Sequence, residues 1–265
     1  MSDAFQLSRA AALKYDEHMV PALFAPLAKA TMDRIALPDG ASVIDIACGT
    51  GALTREIAAR LGEAGRLVGT DLNATMIEVA CERHPADTLE AEYLAADVSS
   101  LPYEDGSFDY AFLQQGLQFF PDKPAALHEI ARVLRPGGCL VLSCWRAISP
   151  FSQALANSIG RHIGEAAAAK ASAPFSFRDG DTITQLLQVA LFEITRHDAI
   201  ILERQFTDLR AQIFALPVEK DLVQAGEAVI TAVIQEVEAD LSDYADGNTY
   251  LVPQEAYLFS AAKLN

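Results

Sequence analysis

Two carboxylates and a pair of glycines carry the clearest chemistry in this chain. The run Asp45-Ile46-Ala47-Cys48-Gly49-Thr50-Gly51 sets an acidic side chain just ahead of two glycines spaced as GxG. Glycines there permit backbone angles closed to other residues and let a ligand approach the main chain closely. Asp71 follows twenty residues after Gly51. An acid at that distance can accept hydrogen bonds from the two hydroxyls of an adenosine ribose. Asp97, further on, supplies a third acid of the same kind.

Two details separate the adenosine cofactors. A dinucleotide fingerprint needs a third small residue in GxGxxG, and Thr54 stands there. A pyrophosphate would also be repelled by Asp45 ahead of the turn. S-adenosylmethionine (SAM) has no phosphate and carries an ammonium and a sulfonium, which an acidic strand end suits. NAD(P)-dependent oxidoreduction is therefore the disfavoured alternative.

These residues must be held by strand-turn-helix units. Ser42–Ala47 is a short, β-branched apolar run, as in a buried parallel strand. A helix to Leu61 follows, with Leu53, Ile57, Ala58 and Leu61 at helical spacing. Strands are expected at 66–71, 89–95, 108–114, 139–145, 193–202 and around 257–262. Helices are expected at 74–83, after Pro124 to Leu134, at 149–173, at 182–190 and as one amphipathic helix over 220–242. Residues 5–36 read as helical, broken by Pro21 and Pro26. Strands alternating with helices predict an α/β fold, a doubly wound, mainly parallel sheet of the Rossmann-like kind. Pro136-Gly137-Gly138 reads as a turn feeding the fifth strand.

Composition narrows the function further. Of 265 residues, 51% are hydrophobic and 21% charged, enough for a substantial core. The net charge of −16 disfavours a nucleic-acid partner, whose phosphates are normally met by Lys and Arg. Residues 219–246 alone contribute −7 of it, as one solvated helix face. No stretch has the length of apolar sequence that spans a bilayer, and no basic-then-apolar leader pattern opens the chain. Cys48, Cys81, Cys139 and Cys144 form no CxxC or Cys/His cluster, so no metal site is expected. Reduced thiols and a cytoplasmic location are the simplest account.

Residues 43–54 resemble motif I of the class I SAM-dependent methyltransferases. The run 68–80 (Val-Gly-Thr-Asp-Leu-Asn-Ala-Thr-Met-Ile-Glu-Val-Ala) resembles their second-strand motif. Ala96-Asp97-Val98, Leu101-Pro102-Tyr103, Gly106-Ser107-Phe108-Asp109 and Leu134-Arg135-Pro136-Gly137-Gly138 resemble the rest. The subgroup is methyltransferase type 11, which includes ubiquinone/menaquinone-biosynthesis enzymes. The resemblance implies a seven-stranded sheet with the last strand antiparallel, and SAM as cofactor. It places Asp45, Ala47, Gly49 and Gly51 around the methionine part, with Gln114 on its side. Asp71 would bind the ribose, with Leu72 and Met76 beside the adenine and Asp97 and Val98 at its amino edge. Tyr15 stands where related enzymes place an aromatic over the cofactor.

The chain departs from the family where members often carry histidine after the fourth strand: here the run is Leu117-Gln118-Phe119-Phe120. The tail of the quinone-modifying enzymes is not evident, which argues against a quinone acceptor. No catalytic base is assigned. His128 reads as a packing or surface residue, and for His162 surface and site-covering readings both stay open.

The expected organisation is one methyltransferase domain over 1–265. It comprises a helical cap (1–40), a SAM-binding core (41–145), a helical insertion (146–182) and C-terminal helices and strands (183–265). The insertion leaves the fifth strand beside the expected methyl-transfer point. Gln118, Phe119, Trp145, Phe151, Phe175 and Phe177 are therefore expected to wall a small, aromatic or apolar acceptor. The competing reading is that these rings only anchor the insertion. A non-catalytic binder of SAM or S-adenosylhomocysteine is the second function, and the oligomeric state is left open, a homodimer included.

Overall fold

The computed structural model describes residues 7–264. Its strands are β1 (Ser42–Ile46), β2 (Arg66–Asp71), β3 (Ala91–Ala95), β4 (Phe108–Gln114) and β5 (Leu134–Trp145), then β6 (Phe192–Phe206), β7 (Ala245–Asp246) and β8 (Thr249–Lys263). They form one sheet in the order β3-β2-β1-β4-β5-β8-β6. The first five strands are mutually parallel, and β8 runs antiparallel to both β5 and β6. The sheet is thus α/β and mainly parallel, as expected. Its strands number eight rather than seven, because β7 folds back on the start of β8 through Gly247-Asn248, with Gly247 at φ +60°.

Alternation along the strands divides the core. Ile44, Ile46, Leu113, Leu140 and Leu142 pack with Leu127 and Ile130 of α5 (Lys123–Val133) and Ile183 and Leu187 of α8 (Gly180–Val189). Val43, Leu67, Phe112, Val141 and Leu258 face the other way. They meet Leu27 of α2 (Ala25–Met32) and Leu53 and Ile57 of α3 (Ala52–Ala58). α4 (Ala74–Arg83) links β2 to β3, opened by Asn73, whose side chain accepts the Thr75 N–H.

The N-terminal helical region is α1 (Arg9–Lys14), a π-helix over Tyr15–Phe24 and then α2. Pro21 lies inside the π-helix and Pro26 in the first turn of α2. Proline removes a backbone donor, so the expected interruption appears as a widened helix rather than a break.

A third cluster joins α6 (Pro150–His162) and α7 (Glu165–Ser172) to three later helices. These are α9 (Leu209–Phe214), α10 (Glu219–Ala225) and α11 (Glu227–Asp240). The helix expected over 220–242 is two helices, parted by Gly226 at φ +91°. α9 was not anticipated; Asp208 opens it by accepting the Ala211 N–H. β6 and β8 are longer than the apolar runs that signalled them. Ala256 pairs with Trp145 at the end of β5. Beyond that point β8 continues with β6, pairing Gln254 with Leu202 and Val252 with Arg204. This two-stranded arm rises past the carboxyl ends of the parallel strands.

Candidate active site

The turn after β1 concentrates the unusual backbone of the chain. Ala47, Gly49 and Gly51 adopt φ +54°, +57° and +82°. A Cβ on Gly49 would lie 3.9 Å from the Tyr15 ring, and one on Gly51 only 2.9 Å from the Tyr93 hydroxyl. Both glycines are therefore required by conformation, and Gly51 by space as well.

Two carboxylates flank this turn. Asp71, at the end of β2, accepts the Gly49 N–H on Oδ2 and the Asn73 N–H on Oδ1, each at 2.9 Å. It therefore fastens the first turn to the second while each oxygen keeps a lone pair for a ligand. Burial raises its pKa, and the two N–H donors pull the other way. Asp45 is fully buried and accepts the Thr54 hydroxyl at 2.6 Å. Burial pushes its pKa up to about 7 against that hydrogen bond. Thr54 thus occupies the third-glycine position with a side chain already engaged. No cation is ion-paired to either carboxylate among the described residues. A cationic ligand would supply that missing charge.

Tyr15, Asp45, Ala47, Gly49 and Gln114 line one pocket, together with Phe24, Cys48 and Thr50. The Tyr15 phenol is held far above its usual pKa by burial first, then by Asp71 and Asp16. Gln114 donates to the Phe24 carbonyl at 3.3 Å, while its buried Oε1 has no partner. Leu72 and Asp97 are exposed at the neighbouring strand ends, and Val98 is half-buried. Asp97 accepts both the N–H and the hydroxyl of Ser99. Met76 packs with Ala12 and Val79, under α1.

The residues expected to wall the acceptor divide into three groups. Trp145 and Phe175 are 5.9 Å apart, and Phe24 and Tyr15 continue the row at 6.2 and 5.2 Å. Aromatic rings therefore run from the cofactor turn to the insertion. Gln118 and Phe119 lie in a 3-10 turn (Leu117–Phe119) just past β4, and Phe177 covers the Lys123 ammonium at 4.9 Å. Phe151 is not brought to this row. It sits in the third cluster, edge-on to Phe206 at 5.6 Å and beneath the Arg204 guanidinium at 4.1 Å. His162 binds Glu236 at 2.8 Å, away from the turn, and His128 bonds its own helix at the Pro124 carbonyl.

Sequence reasoning missed Phe24, Gln115 and Arg204. Phe24 is signalled only by its place nine residues after Tyr15. Gln115, at φ +56°, is buried with both amide atoms unpartnered, as are those of Gln118. No spacing rule marks such residues.

The fold is shared with solved methyltransferase structures, and the turn resembles motif I of the class I SAM-dependent methyltransferases. Residues 43–138 match the family model described as a methyltransferase domain. The chain is 40% identical over 116 residues to the ubiquinone/menaquinone biosynthesis C-methyltransferase UbiE of Hahella chejuensis, covering 42% of this chain and 46% of that protein. It is 37% identical over 112 residues to the demethylmenaquinone methyltransferase of Lactococcus lactis, covering 42% and 44%. The chain thus spans about half the length of the curated relatives it matches. Among solved structures it is similar to Haemonchus contortus phosphoethanolamine N-methyltransferase 2, bound to phosphomonomethylethanolamine and S-adenosylhomocysteine. There the TM-score is 0.61 at 19% identity, covering 99% of this chain and 59% of that one.

Proposed function

We propose that this chain transfers a methyl group from SAM to an O, N or C atom of a small molecule. The observation that carries this reading is the meeting of Asp45 and Asp71 at one positive-φ glycine turn, with the Gly49 N–H held by Asp71. Two carboxylates without paired cations suit a ligand with an ammonium and a sulfonium. The residues present therefore fit SAM, and Asp45, Gly49, Gly51, Asp71, Gln114 and Tyr15 would hold it.

SAM supplies an activated methyl group when bound, so the protein has mainly to align the acceptor and exclude water. Tyr15 and Phe24 close the pocket from the N-terminal side. Tyr15 and Phe24 offer apolar walls to a flat acceptor, backed by the buried Trp145 and Phe175. The buried, unpartnered amides of Gln115 and Gln118 offer hydrogen bonds to its polar edge. The cap of residues 1–40 and the insertion of 146–182 would then set specificity. The overall charge of −16 favours a small molecule over nucleic acid. Among the described residues no helix is long and apolar enough to cross a membrane.

Similarity to the quinone-modifying enzymes covers 42% of this chain and less than half of each relative, so the acceptor is not carried over from them. Incubation with methyl-labelled SAM and a panel of small phenols, amines and aromatic acids tests the reading. Label in an acceptor supports it. SAM binding with no label in any acceptor would leave the non-catalytic binder instead.

A further inference from the structure

Arg204 is fully buried on the rising β6–β8 arm, among the largest such side chains in the molecule. Its guanidinium lies 4.1 Å from the Phe151 ring centroid and 5.4 Å from that of Phe206. One nitrogen donates to Gln212 Oε1 at 2.6 Å and touches Met19 Sδ at 3.3 Å. Its Nε has no partner. No carboxylate is ion-paired or hydrogen-bonded to it among the described residues. Gln254 lies diagonally across on the same sheet face, buried, with Oε1 also unpartnered. Burial without a counter-charge pushes the Arg204 pKa down to about 9.

A buried guanidinium lacking an anion is costly, since two ring faces and one amide offset only part of its desolvation. A ligand that brought the missing charge would offset that cost. The location supports this. Met19 belongs to the π-helix whose ends, Tyr15 and Phe24, line the cofactor pocket. Val252, opposite Arg204, is four residues along β8 from Ala256, the partner of Trp145. That is about 13 Å along the strand, roughly twice the length of a single ring with its carboxylate, so the acceptor would carry the carboxylate on an arm beyond its ring.

Resting on the methyltransferase reading, we propose that Arg204 is the anion-recognition residue of the acceptor site, and that the acceptor is a small aromatic monocarboxylate. The guanidinium fork matches a carboxylate with two parallel hydrogen bonds. A single positive charge, with no second cation among its contacts, balances one carboxylate rather than a phosphate dianion. Phe24, which lines the cofactor pocket, would flank the acceptor between this anchor and the methyl donor.

The test is thermal melting of the protein saturated with S-adenosylhomocysteine, with benzoate as the probe and benzamide as its neutral isostere. Benzoate at ten times its Kd should raise Tm by about 3 °C, and benzamide should not. In Arg204→Met the benzoate shift should vanish while the benzoate-free Tm is unchanged or higher, because an unpaired charge has been removed. Arg204→Lys, should the methionine variant fail to fold, should bind benzoate at least about tenfold more weakly, having lost the fork. No benzoate shift above that of benzamide, any such shift in Arg204→Met, or an undiminished shift in Arg204→Lys overturns the proposal. Calorimetry of S-adenosylhomocysteine on the same samples separates the two readings. Binding without any benzoate effect refutes the carboxylate anchor alone, whereas no binding refutes the methyltransferase reading itself.

Discussion

The backbone N–H of Gly49 donates to the carboxylate of Asp71 at 2.9 Å, joining the turn after β1 to the end of β2. One side chain thus shapes the cofactor turn and faces the site where the ribose is proposed to lie. Asp71→Ala should remove both services and weaken S-adenosylhomocysteine binding by roughly 1.5–3 kcal/mol. Asp71→Asn keeps an acceptor oxygen and should lose less. Titration calorimetry measures the difference, and unchanged affinity in a folded Asp71→Ala protein would remove Asp71 from the site.

Gly49 sits at φ +57° with the Tyr15 ring 3.9 Å from its missing Cβ. Gly49→Ala adds left-handed strain of about 1–2 kcal/mol and little crowding. Gly49→Val adds branching toward Tyr15 and should abolish cofactor binding. If circular dichroism shows a folded Gly49→Val protein with near-native affinity, the ligand does not approach this turn.

Asp45 gives the site a pH dependence of definite sign. Its folded-state pKa of about 7 lies above the unfolded value, so the native state binds the extra proton between them. Its contribution to stability therefore falls as pH rises from about 4 through 7, then levels off. The ammonium of the ligand prefers the ionised form, so affinity for S-adenosylhomocysteine should instead rise through pH 7. Asp45→Asn should flatten that rise. A wild-type affinity flat between pH 6 and 8 would contradict the assignment.

Phe151 and Phe177, two rings expected to wall the acceptor, should now behave differently. Phe151 is fully buried beneath Arg204, and Phe151→Ala should cost roughly 3–5 kcal/mol of stability. Phe177 is half-buried beside an open groove formed with Ser176 and Arg178. Phe177→Ala should leave Tm almost unchanged and raise the acceptor KM. Denaturant melts and steady-state kinetics on the two variants decide this, and equal stability losses would return both rings to a packing role.

What was legible in the sequence follows the range of the interactions. Asp45, Gly49, Gly51 and Asp71 lie in one strand-turn-helix-strand unit, so spacing alone brings them together. The apolar runs of β1, β2, β4 and β5 likewise identify themselves, being buried on both faces. The arm of β6 and β8 was only half visible, because the expected strand stops at Leu202, where the apolar run ends, and Glu203, Arg204 and Gln205 are strand through pairing with distant residues. The split at Gly226 was hidden because acidic residues and an apolar stripe continue on both sides of it. Arg204 had no local signal at all; its meaning comes from Met19, Phe151 and Gln212, which the chain delivers from three separate segments.

The central claim is that the turn after β1 binds a SAM-type ligand and not a dinucleotide. Calorimetric titration of the purified chain with S-adenosylhomocysteine, and separately with NADH, tests it most directly. Saturable one-to-one binding of S-adenosylhomocysteine, lost in Gly49→Val, is expected, with no heat of binding from NADH. Binding of NADH with none of S-adenosylhomocysteine would contradict it.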